Sequence, residues 1–104
     1  MDPEGKGLTF DELRKIVAPI AKKHGMKRVC LFGSRSRGDN KEDSDYDFCI
    51  VAPEGFDLFD LEHFLLDLRE ALGAEVDVIS EERISNESYF KGEILRDRKI
   101  LFES

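Results

Sequence analysis

The chain has 104 residues, of which 40% are hydrophobic and 38% charged, and its formal net charge is −7. A chain of this length buries roughly 65% of its unfolded surface, enough for one core, and eight Phe residues among many Leu, Ile and Val exclude a disordered segment. The acidic balance argues against tight non-specific binding to nucleic acid, which needs basic groups to release counterions. No apolar run is long enough to cross a bilayer, and MDPEGKGLTF has no signal-peptide form, so the expectation is a single cytoplasmic domain over residues 1–104 with no membrane contact.

Thr9 followed by Glu12 has the form of a capping box. Leu13, Ile16, Val17 and Ile20 then recur at helical spacing, which predicts a first helix over 9–23. Pro19 removes a backbone donor inside it, so a kink or break is expected near residue 18. His24-Gly25 ends the segment, with Lys22 and Lys23 in the last turn, where the helix dipole favours cations.

RVCLF at 28–32 is a short apolar run bounded by Gly33 and reads as a buried strand. DYDFCIV at 45–51 reads as a second, with Asp45, Asp47, Cys49 and Val51 on one face and Tyr46, Phe48 and Ile50 on the other. Two carboxylates thus begin one face of an otherwise apolar strand, which demands a cation or a water-filled cleft beside them. Tyr46 and Phe48 are assigned to the core. Cys30 and Cys49 lie inside the apolar runs without CxxC spacing and read as buried, reduced strand residues in preference to a disulfide or a metal pair.

Pro53 and Gly55 break the chain, and Leu58, Leu61, Leu65, Leu68 and Leu72 mark an amphipathic helix that ends at Gly73. EVDVI at 75–79 is a third strand with Asp77 between two valines. Residues 86–97 read as helical with Phe90, Ile94 and Leu95 on the apolar side, although Gly92 opposes it, and KILF at 99–102 closes as a short strand. His24 and His63 are read as structural or surface groups and Tyr89 as a surface or interface residue. There is no repeat and no linker, so no domain boundary is drawn.

Charge is distributed unevenly. Residues 22–41 hold seven Lys or Arg and one acid, whereas 42–82 hold fourteen acids and one base, Arg69. The boundary falls within LFGSRSRGDNKEDSDYD at 31–47. A strand that runs into Gly33-Ser34 and then a short helix leaves backbone N–H groups pointing at the turn, and the absent Gly side chain lets an anion approach. Ser34 adds a hydroxyl, and Arg35 or Arg37 adds charge, with either also readable as a surface residue. There is no GxxxxGK[ST] loop. Asp45 alone reads as a turn residue and Asp77 alone as an exposed strand residue. Together with Asp47 and a phosphate seat they fit magnesium, which takes carboxylates plus substrate phosphates, and two such ions can clamp an in-line displacement at phosphorus.

Gly33-Ser34, ten intervening residues, then Asp45-Tyr46-Asp47, with Asp77 on a later strand, resembles the polymerase-beta-type nucleotidyltransferase superfamily. KRVCLFGSRSRG, SDYDFCIV and the closing ILRDRKILFE are similar to its minimal nucleotidyltransferase (MNT) group, over about residues 10–103. Ser36 stands where the family often has Ala, a change that leaves the turn intact. The resemblance implies an α/β (α+β) fold, a small mixed sheet with helices mainly on one face. It implies that Gly33 and Ser34 hold a nucleoside triphosphate such as ATP, that Asp45 and Asp47 ligate Mg2+, and that Asp77 is a third ligand or the base for the acceptor hydroxyl. The implied reaction moves a nucleoside monophosphate to a hydroxyl and releases pyrophosphate. In the minimal group the implied setting is an antitoxin paired with a HEPN-domain ribonuclease toxin, adenylylated on tyrosine. The alternatives are a non-catalytic antitoxin that occludes its partner, or transfer to a small molecule, for which larger relatives carry an additional helical domain.

Overall fold

A computed structural model describes residues 8–38, 45–84 and 98–104, with the side chains of residues 34, 37, 83 and 84 outside that description. The elements in chain order are α1 (Phe10–Lys23), β1 (Arg28–Phe32), α2 (Ser34–Arg37), β2 (Tyr46–Val51), α3 (Leu58–Leu72), β3 (Val76–Ser80), α4 (Glu81–Ile84) and β4 (Lys99–Glu103). The segment read as a helix over 86–97, and Tyr89 within it, lie outside the described residues.

The capping box forms as expected at α1: the Glu12 backbone N–H donates to Thr9 Oγ1 at 3.1 Å, and the Thr9 N–H donates to Glu12 Oε1 at 2.9 Å. Pro19 does not break the helix, which runs unbroken to Lys23. Pro19 and Lys15 both lie on the exposed side, so the carbonyl that loses its donor can bond to water instead. The buried side carries Leu13, Val17 and Ala21.

α3 has a cap that the sequence pattern did not reveal. Asp57 accepts from the Asp60 N–H at 2.9 Å while Asp60 accepts from the Asp57 N–H at 3.1 Å, an all-aspartate version of the same box. Gly73 closes the helix in the left-handed region at φ 64°, where a side chain is disfavoured, and its N–H donates to the Arg69 carbonyl. Of the expected leucine stripe, Leu68 is fully buried and Leu65 and Leu72 pack against the core, with Phe64 added to the buried line, whereas Leu58 in the first turn is 81% exposed.

The four strands form a mixed sheet in the order β3-β2-β1-β4, with β1 antiparallel to β2 and β4 and β2 parallel to β3. The parallel pair requires a crossover, and α3 supplies it. α1 and α3 both pack on one face. Val29 and Leu31 of β1, Tyr46, Phe48 and Ile50 of β2, Val76 of β3 and Leu101 of β4 meet the helices there in one core. Tyr46 and Phe48 stack with ring centroids 6.1 Å apart, and Phe64 of α3 is fully buried, a position where truncation to Ala costs about 3–5 kcal/mol. Cys30, Cys49, Phe32 and Ile79 form a separate cluster on the opposite face. Among the described residues no helix is long and apolar enough to cross a membrane.

The two helices are also joined by charge. Asp67 of α3 accepts from His24 Nε2 at 2.7 Å and from Lys23 Nζ at 3.1 Å, and the His24 ring meets Phe64 edge-on at 5.4 Å. The hydrogen bond from His24, followed by that from Lys23, holds the Asp67 carboxyl below its ordinary value of 3.8. A depressed carboxyl contributes stability above about pH 4 and loses it as the pH falls through the folded value. Asp67→Asn should therefore melt at a lower temperature than the wild type at pH 6–7, and the two melting curves should converge in acid below about pH 4. A constant difference in melting temperature across that range would rule out this carboxylate as the source.

Candidate active site

The register of the sheet decides which acids meet. Asp47 and Asp77 are direct Cα partners across the parallel β2–β3 pair, so both side chains leave the same face, the one opposite the helices. Asp45 lies two residues earlier on the same chain, immediately before β2, and is exposed. Asp77 is also exposed, while Asp47 is half-buried. Phe32, the last residue of β1, pairs with Asp47 on its other side. The end of β1 and the starts of β2 and β3 therefore converge at one edge of the open face.

Gly33 follows Phe32 at this edge with φ 78°. A Cβ placed on it would collide with the Asp47 carboxylate oxygen, and would lie 3.2 Å from Asp47 Cγ and 3.3 Å from Asp47 Cβ. Glycine is thus required here twice over, for the left-handed backbone and for the space that Asp47 occupies. The chain then turns into α2, where the Ser36 N–H donates to the Gly33 carbonyl at 3.1 Å. Ser36 is 3% exposed, which accounts for a small residue at that position.

Of the remaining sequence candidates, Ser34 and Arg37 open and close α2. The Arg35 guanidinium lies over the Tyr46 ring, 3.9 Å from its centroid. Tyr46 belongs to the helix-covered face of β2, so this contact anchors α2 to the strand's other side from Asp47. Arg35 was read only as a phosphate contact or a surface charge; its stacking has no local sequence signal.

Farther along the open face, Cys30 and Cys49 are Cα partners across β1–β2 and both are free and buried. Burial and the hydrogen bond between the two thiols, the bond being the larger effect, raise the Cys49 thiol well above its ordinary value. Glu81, which begins α4, had no signal in the sequence beyond its place directly after a strand. Its carboxylate accepts from Arg28 Nη1 at 2.8 Å and also from Arg98 Nη1.

A cavity of about 910 Å³ opens at the opposite end of β2 and β3, lined by Lys27, Pro53, Phe56, Leu58, Val78 and Ser80 among others. It holds none of Asp45, Asp47 and Asp77; its polar lining is Lys27, Glu54, Asp57, Ser80 and Glu82.

Asp47 and Asp77 share one face and Asp45 precedes them on the chain, and carboxylate oxygens are the donor type that magnesium takes. The space left by the absent Gly33 side chain is taken by the Asp47 carboxylate.

Residues 11–101 match the family described as Nucleotidyltransferase domain. The chain belongs to that family. It is 41% identical over 73 residues to "Putative protein adenylyltransferase MJ0435" of Methanocaldococcus jannaschii, a match covering 70% of this chain and 78% of the relative. A solved structure described as a "putative minimal nucleotidyltransferase" superposes with a TM-score of 0.73 at 33% identity, covering 88% of this chain and 95% of that one. A chain from the complex of a tri-AMPylated Shewanella oneidensis HEPN toxin with an MNT antitoxin gives a TM-score of 0.68 at 17% identity, covering 92% of this chain and 74% of that one, and shares the fold. The domain described here is accordingly a nucleotidyltransferase of the minimal type.

The close packing of Gly33 against Asp47 yields a double-variant prediction. Gly33→Ala should cost about 1–2 kcal/mol from its backbone alone, plus the collision with the carboxylate. In an Asp47→Ala background the carboxylate is gone and only the Cβ contact at 3.3 Å remains, so the cost of Gly33→Ala should fall by at least about 0.5 kcal/mol in urea unfolding. Equal costs in the two backgrounds would show that the two residues do not interact.

Proposed function

We propose that this nucleotidyltransferase moves AMP from ATP to a hydroxyl of a partner protein, with Mg2+, and that the partner is a HEPN-type toxin neutralised by the transfer. The observation that carries the reading is the direct pairing of Asp47 with Asp77 beside the Gly33 turn. The name of the jannaschii relative and the AMP groups on the toxin in the Shewanella complex support the choice of donor and acceptor class.

In this reading Gly33 lets the triphosphate approach the backbone N–H groups of the turn, and Ser34 donates a hydroxyl hydrogen bond to it. Arg37 adds charge at the same turn. Arg35, held over Tyr46, fixes α2 to β2 and is a positioning residue first. Asp45 and Asp47 would hold magnesium, with Asp77 as a third ligand or as the base for the acceptor hydroxyl. When bound, the metal neutralises phosphate charge and aligns attacking and leaving oxygens. The acceptor hydroxyl forms a bond to the α-phosphorus as the bond to the pyrophosphate oxygen breaks. Asp77, exposed on the edge strand β3, would alternatively serve as the base that takes the hydroxyl proton.

The test is label transfer from α-labelled ATP to proteins of the native host. Wild type should label one protein, γ-labelled ATP should label none, and the Asp45→Ala/Asp47→Ala double variant should reduce the signal to background. Asp77→Asn, nearly the same size, should keep its melting temperature and lose transfer by about 10²–10⁴-fold, the usual contribution of a catalytic base. A double variant that transfers no label yet still silences a co-expressed partner toxin would replace the transfer reading with occlusion.

A further inference from the structure

The open face carries a second set of donors that nucleotidyl transfer does not use. Cys30 and Cys49 are direct partners across β1–β2 and both are 0% exposed. Ile79 lies beside Cys49 in the parallel pair, and two residues later Glu81 turns back over the thiols. The two Sγ atoms and one Glu81 carboxylate oxygen all lie within 4.8 Å of one another. The carboxylate is itself held from two sides, by Arg28 at 2.8 Å and by Arg98, and Arg28 is fixed in turn by its Nε donating to Glu103 Oε2 at 2.9 Å.

We propose that Cys30, Cys49 and Glu81 form a binding site for a thiophilic divalent cation, Zn2+ being the type, separate from the aspartate edge. Two sulfurs and one carboxylate oxygen suit zinc and exclude magnesium, which takes oxygen ligands. With Zn–S near 2.3 Å and Zn–O near 2.0–2.2 Å, tetrahedral donors stand roughly 3.5–3.8 Å apart, so a set already within 4.8 Å needs only a small contraction. The arginines supply the outer shell that ligating carboxylates require. Charge also balances. The cation brings two positive charges and displaces the two thiol protons, so the buried face gains no net charge. The Glu81 side chain is 14% exposed and provides the route from solvent. Three protein ligands leave a fourth position for water. Cys49 is two residues beyond Asp47 and Cys30 two before Phe32, so a bound ion would brace the strands that carry the acid edge.

The experiment titrates the reduced full chain with Co2+ in excess Mg2+, following thiolate-to-cobalt charge-transfer absorbance, and then displaces the cobalt with Zn2+. The expected result is a band saturating at one equivalent and removed by Zn2+. It should be lost in Cys30→Ser and in Cys49→Ser, and retained in Asp45→Ala/Asp47→Ala. Glu81→Gln should weaken the apparent affinity by about tenfold or more. Absence of a charge-transfer band in the wild type at saturating Co2+ overturns the proposal, as does a band that survives both serine variants. The wild-type titration decides the matter even where a serine variant fails to fold. Because it reads no label transfer, its failure leaves the catalytic reading standing.

Discussion

Everything in this fold depends on the two-residue period of β2. Tyr46, Phe48 and Ile50 point into the helix-covered core, and Asp47 and Cys49 point out of the other face. A slip of one residue against β1 or β3 would bury a carboxylate under α3 and expose two aromatic rings. The burial of Phe48 and the Tyr46–Phe48 stack oppose that slip, so the apolar face fixes the chemistry of the polar one. The two long helices lie on the other side of the sheet, which leaves the aspartate edge uncovered by them.

The same register sets the electrostatics. Three aspartates at one edge repel one another, and the tolerance for that repulsion comes from exposure: Asp45 and Asp77 reach water, while Asp47 lies against the Gly33 turn. Away from that edge, acids are neutralised by specific bases instead. Glu81 and Glu103 share Arg28, whose guanidinium is held above its ordinary value chiefly by its hydrogen bond to Glu103, with Glu81 adding charge. Arg98 completes the group on Glu81.

Much of this was legible in the sequence because its signals are local. The Thr9–Glu12 box, the alternation of β2 and the spacing from Gly33-Ser34 to Asp45 and Asp47 are all read within short windows. The errors also have local causes. Pro19 predicts a kink or a break in α1, yet the helix runs unbroken to Lys23, and on the exposed side the lost hydrogen bond can be made good by solvent. Leu58 shares the spacing of the stripe, yet spacing alone does not say which of its positions the core covers. Aspartate in place of the usual glutamate hid the Asp57–Asp60 cap. Convergence of Asp77 on Asp47 needed the parallel register, which no window contains. Arg28, Cys30, Cys49, Glu81 and Arg98 come from separate segments, so their cluster is a property of the fold alone.

The open face thus presents two donor sets of different hardness, separated by a single step of the strand period. Oxygen donors occupy the edge where the chain enters β2, and sulfur donors occupy the middle, where the strands are fully paired. Magnesium gives up its water reluctantly and belongs at an exposed edge, where it can keep several waters and meet phosphate. A thiophilic ion binds through deprotonated sulfur and gains from exclusion of water. Under the two proposals burial sorts the chemistries along β2, from exposed Asp45 through half-buried Asp47 to fully buried Cys49.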